Sequence, residues 1–86
     1  MKMNEIQFIE PKSDHILRIT FTDGTKGVFD IKPYLVYEAF ESLKSSEEFK
    51  KIHNGGYFVE WESGADLSAD TLRAHLLRED EVTVIN

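Results

Sequence analysis

Cysteine is absent from this 86-residue chain, which removes both a disulfide framework and a thiolate metal centre from consideration. A domain close to the size at which such staples become useful must then be held by apolar packing. On the usual per-residue scale its stability would be about 4 to 13 kcal/mol, so loss of one large core side chain would consume much of it. Long apolar runs are missing too. Nowhere do 18 apolar residues follow one another, and the start, Met1 to Glu5, lacks the apolar stretch of a secretory signal. Both features lead us to expect a cytoplasmic protein with no membrane partner. Basic residues are scarce: 10 Lys and Arg stand against 16 Asp and Glu, a formal charge of -6. Nucleic-acid affinity comes largely from cations that displace condensed counterions, so direct contact with DNA or RNA is not expected.

What is present is the composition of a folded protein, 41% hydrophobic with six Phe, three Tyr and one Trp. Such a length supports one core, hence a single domain over 1–86. The charge is unevenly spread. Residues 1–57 carry nine acids and eight bases, and residues 58–86 carry seven acids and two bases, so -1 and -5 of the total fall in the two parts. Surplus acid either maintains solubility or steers a basic partner, and both readings stay open.

Hydrophobic alternation marks the strands. Residues 5–10 alternate and stop at Pro11, which cannot donate to a sheet ladder. Residues 15–21 place Leu17, Ile19 and Phe21 on one face and Arg18 and Thr20 on the other. A two-residue turn at Asp23-Gly24 would oppose Arg18 to Phe29 and mix the faces. A three-residue loop Thr22-Asp23-Gly24, with Gly24 left-handed, opposes Phe21 to Thr25, Ile19 to Gly27 and Leu17 to Phe29. The order aromatic, polar, polar, Gly, small recurs in Trp61 to Ala65, where Gly64 takes the same place and Val59 falls opposite Leu67. Two five-residue matches indicate shared turn chemistry and not a repeat. A strand at 51–53 turns at Asn54-Gly55-Gly56 into another at 57–61.

Helical signals are short. Pro33 suits a first helical position, and Leu35, Val36, Ala39, Phe40 and Leu43 then share one side at helical spacing. Ser45 and Glu48 have the spacing of a capping box and start a turn that carries Phe49 inward. Ser68 is the strongest helix start: its hydroxyl can cap the next turn, Asp70 suits the positive end, and Leu67 and Leu72 flank it as a staple. This predicts a helix over 69–77 that buries Ala69, Leu72 and Leu76. The expected class is α+β, a small antiparallel sheet built from hairpins with two short helices packed on it.

Several of these residues together resemble a bacterial family known as domain of unknown function 2442. The resemblance lies in Leu17 to Gly24, Gly27 to Ile31, Phe40 to Leu43 with Phe49, Glu60 to Ser68, and Asp70 to Leu72. It implies a small α+β fold, no established activity and, in many members, a short neighbouring gene of the kind found in toxin and antitoxin couples. Some related chains carry an added helix-turn-helix, for which 86 residues leave no room. The chain departs from the pattern at Tyr37-Glu38, where a Gly is common before the Phe, and after Arg78.

Catalytic chemistry finds little support in the residues. His15, His53 and His75 sit on separate elements without a metal-ligand spacing, and the serines lack a nucleophile elbow. No metal, no cofactor and no catalytic activity are therefore expected. Glu60, Glu62, Asp66 and Asp70 cluster in sequence. Asp66 is expected to bond backbone groups near its turn and Asp70 to serve the helix dipole, while Glu60 and Glu62 share a strand face. Phe58 alternates with Val59 and Trp61, so an inward Val59 and Trp61 leave Phe58 between two acids. It meets either a partner or a second, minor core with Val28, Ile16 or the tail. The tail, 79–86, ends in β-branched Val82-Thr83-Val84-Ile85, which can pair within the chain, pair with another chain through Val82 and Val84, or remain frayed.

Those residues set the functional expectation. It is a non-enzymatic protein-interaction module, monomer or weak homodimer, the acidic member of a gene pair with a small basic partner. Partner-binding residues are Phe58, Glu60, Glu62, Val82 and Val84, and the turns and caps Asp23, Gly24, Gly64, Asp66 and Ser68 are structural. Two alternatives stay open: a small enzyme using Glu60, Glu62 and a histidine, and a module that acts when attached to a transcription factor.

Overall fold

The computed structural model describes residues 4–78, so the tail from 79 onward, with Val82 and Val84, lies outside the described residues. Strands β1 (Ile6–Lys12), β2 (Ile16–Phe21) and β3 (Lys26–Asp30) come first. Two 3-10 stretches, Lys32–Val36 and Glu38–Lys44, lead to the single turn of α1 (Ser46–Phe49). Then follow β4 (Ile52–Asn54), β5 (Phe58–Trp61), β6 (Asp66–Ser68), α2 (Ala69–Ala74) and β7 (Leu77–Arg78). All pairing is antiparallel, and the hairpins divide into a four-stranded sheet in the order β1-β2-β3-β7 and a three-stranded sheet β4-β5-β6. The class is α+β, as the alternation and short helical segments implied.

Both three-residue hairpins form in the expected register. Leu17 faces Phe29 and Ile19 faces Gly27, and Val59 faces Leu67. Phe21 N–H donates to the Thr25 carbonyl at 2.8 Å and Gly24 N–H to the Phe21 carbonyl at 3.0 Å. Trp61 and Gly64 repeat these bonds at 2.8 and 2.9 Å. Gly24 and Gly64 have φ of +92° and +101°, the left-handed region a Cβ disfavours.

Four local expectations need correction. β1 runs through Pro11 to Lys12, because β1 is a sheet edge and its outward side needs no N–H donor. His15 belongs to the β1–β2 turn and not to β2. Asp14 and His15 have φ of 62° and 59°, the left-handed pair that lets a hairpin turn without glycine. That turn is held from outside: Lys32 Nζ donates to the Asp14 carbonyl at 2.7 Å, and the His15 Nε2 lies 2.8 Å from the Leu43 carbonyl. The helical side read from Leu35 to Leu43 is broken at Tyr37, which is extended (φ -90°, ψ 140°), so Val36 and Ala39 face solvent while Leu43 is buried. Finally, α2 ends at Ala74, and Leu77 leaves the helical path to pair with Val28.

The caps behave as their sequence suggests. Ser68 Oγ accepts from Thr71 N–H at 3.1 Å and Ser45 Oγ from Glu48 N–H at 3.4 Å. One continuous core joins the two sheets, with Leu17, Ile19, Phe21, Phe29, Val59, Trp61 and Leu72 all buried. Trp61 sits between aromatic neighbours, stacked on Phe49 at 6.3 Å and edge-on to Phe40 at 6.5 Å, and its Nε1–H donates to the Phe49 carbonyl at 2.8 Å. No polar or charged residue is buried among the described residues, so specificity in the interior comes from shape and from this one indole bond.

Candidate functional site

With Val59, Trp61 and Leu67 turned inward, the opposite face of the three-stranded sheet is fixed by strand parity. It carries Phe58 opposite Ser68, and a row across all three strands made of His53, Glu60 and Asp66. Glu60 and Asp66 are direct cross-strand neighbours of like charge, a pairing that works against the sheet. Glu62, just past the end of β5, brings its carboxylate to 3.9 Å from His53 Nε2. Lys51 stands at the rim: its Nζ pairs with Glu48 at 3.1 Å, and its pKa is raised, first by that hydrogen bond and further by the charges of Glu48 and Glu62.

Phe58 is 43% exposed. Its ring lies over the backbone of Gly55, where any Cβ would fall inside the ring. One side of the ring is thereby supported by the Asn54–Gly56 turn. That turn is itself tied to β1, since Asn54 Nδ2 donates to the Ile6 carbonyl at 3.0 Å and Ile6 N–H to the Gly56 carbonyl at 2.7 Å. The ring is a supported platform on the same sheet face as the cross-strand pair Glu60 and Asp66.

Of the residues singled out from sequence, Phe58, Glu60 and Glu62 are thus brought to one region, and His53 joins them. Asp66 takes a different place from the one expected. Its side chain makes no turn bond among the described residues; backbone bonds close that turn, and Asp66 extends the acidic row. Asp70 lies in the first turn of α2, which Ser68 caps, and accepts from Asn4 Nδ2. His15 and His75 lie elsewhere, and among the described residues no three His, Asp or Glu side chains converge as a metal-binding group.

Sequence reading missed Arg73. From α2 it donates to Asp23 Oδ2 at 2.8 Å and Thr25 Oγ1 at 3.0 Å, with its guanidinium 5.0 Å from the centroid of Phe21. Asp23 also accepts from Thr25 N–H, so its carboxyl is lowered from 3.8 to about 2, chiefly by the Arg73 hydrogen bond and then by that of Thr25. Asp23 is a structural turn residue, as expected, but one fastened to the second half of the chain.

No curated protein and no solved structure matches the chain. Residues 6–77 match the family model described as "Protein of unknown function (DUF2442)", and the chain belongs to that family.

Proposed function

We propose that this domain is a non-catalytic protein-interaction module whose outer three-stranded face receives a basic partner. The observation that carries this reading is the direct opposition of Glu60 and Asp66 beside the supported ring of Phe58. A like-charged cross-strand pair costs stability in the free protein and gains from an incoming cation. A rigid, half-exposed aromatic next to it is the side-chain type that dominates interface energies. The acidic surplus of residues 58–86 supports the same orientation and fits the acidic half of a paired-gene couple.

One observation favours a second reading. His53 lies opposite Glu60 and near Glu62, so a histidine does meet the two carboxylates that an enzyme would use. All three side chains are open to solvent on a sheet face, an arrangement suited to a macromolecular surface more than to an enclosed reaction site, and the interaction reading is preferred.

The test is co-expression with the product of the adjacent reading frame, followed by calorimetry and light scattering at two salt concentrations. The expected result is a complex weakened by salt, by Phe58→Ala, and by Glu60→Gln with Asp66→Asn. A complex indifferent to all three overturns the assignment of this face. Turnover by a substrate panel that is lost in His53→Ala would establish the second reading.

A further inference from the structure

On a different part of the surface, the break at Tyr37 opens a cleft of about 420 Å³ lined by Phe29, Asp30, Pro33, Tyr34, Tyr37 and His75. Phe29 is buried and forms its floor. The ring of Tyr34 lies 5.5 Å from that of Phe29, and Tyr37 follows at 6.5 Å, tilted by 60°. Tyr37 is 60% exposed, held out by the extended backbone between the two 3-10 stretches. The walls are therefore phenyl and phenol rings, a proline ring and the His75 imidazole, with Asp30 as the one carboxylate among them. Asp30 accepts from the Lys32 backbone N–H at 2.9 Å and pairs with Lys32 Nζ at 3.1 Å, and both contacts use Oδ1. Lys32 Nζ is shared with Asp14 at 3.2 Å, so it answers two carboxylates at once. Across Tyr37 the neighbouring depression carries Glu38 and Glu41, with Lys44 as its cation.

This surface was not legible in the sequence, where Tyr37 appeared only as a departure from the family pattern. Negative charge next to tilted aromatic rings repels an anionic ligand and attracts a cation, which the ring quadrupoles also favour. An alkyl stem ending in a cation matches both parts, since such side chains lay their methylenes on apolar surface and keep the charge at the rim.

We propose that this cleft receives a lysine or arginine side chain of a basic protein segment, its stem on Pro33 and the two tyrosines and its head at Asp30. The inference borrows only the sign of the partner from the reading of the three-stranded face. The two surfaces are tested separately.

The experiment is an NMR titration of the full isotope-labelled chain with three probes: N-acetyl-lysine amide, N-acetyl-arginine amide and the uncharged N-acetyl-norleucine amide. Saturable shifts at Tyr34, Tyr37 and His75 are expected with the two cationic probes, and norleucine amide should bind about tenfold more weakly. Tyr37→Ala should abolish the shifts, and Asp30→Asn, which keeps an acceptor for the Lys32 N–H, should weaken binding by about three- to tenfold. Phe58→Ala should leave them unchanged. Equal binding of the norleucine probe, an Asp30→Asn variant that binds as well as the parent, or absence of saturable shifts overturns the proposal. None of these outcomes bears on the complex formed at the three-stranded face.

Discussion

Arg73 and Asp23 are fifty residues apart in the chain and 2.8 Å apart in the fold. The contact pins the tip of the β2–β3 hairpin to the last turn of α2, and Phe21 lies beneath the guanidinium. It gives the acid stability of the domain an identifiable source.

The sign follows from the depressed carboxyl of Asp23, about 2 in the fold against 3.8 unperturbed. Stability from this group is fully present above the unperturbed value and is lost as pH falls through about 4 toward 2. Urea unfolding across that window should show a falling limb, and Asp23→Asn should flatten it. An unchanged limb in the variant would assign acid sensitivity to other carboxylates.

Gly24 and Gly27 should respond to alanine for different reasons. At Gly24 nothing lies within 4 Å of an added Cβ, so the cost is only that of φ +92°, about 1 kcal/mol. At Gly27 a Cβ would collide with backbone, the Leu77 carbonyl and Arg78 Cα of β7. Gly27→Ala should detach β7, read as fast amide exchange at Leu77 and Arg78 with β1–β2 still protected. Retained protection there would contradict the close approach.

Gly55→Ala displaces only the end of a side chain, the Phe58 ring, so the thermal midpoint should move little. Binding of a basic partner should fall as far as it does in Phe58→Ala. A variant that binds normally would show that the supported ring orientation is irrelevant.

Trp61→Phe should be costly. It removes indole volume from a fully packed site and leaves the buried Phe49 carbonyl without its donor, together about 2 to 4 kcal/mol. Equilibrium denaturation measures this directly, and a loss below about 1 kcal/mol would mean that water or repacking replaces the indole.

Local physics was readable from the chain. The parity of Leu17, Ile19 and Phe21 fixes which face is buried, and only the three-residue loops keep Phe29 and Leu67 on that face, so hairpin register was legible. Ser68 and Ser45 were legible as caps because a cap needs only the next turn of backbone. That Phe58, Glu60 and Glu62 share one strand face was legible for the same reason of parity, whereas the exposure of Phe58 was not.

What depended on partners distant in sequence was not. Helical spacing from Leu35 to Leu43 gave no sign of the break at Tyr37, because whether a short segment holds 3-10 or α geometry is decided by what its side chains pack against. Arg73, His15 and Gly27 look ordinary until the β2–β3 hairpin, the second 3-10 stretch and β7 are laid beside them. Pairing rules acting within about ten residues of chain determined the hairpins and caps, as expected for elements whose hydrogen bonds are local. The division into two sheets, the acidic row completed by Asp66 and the aromatic cleft at Tyr37 arise only when separate elements share one core, and that was decided by tertiary packing.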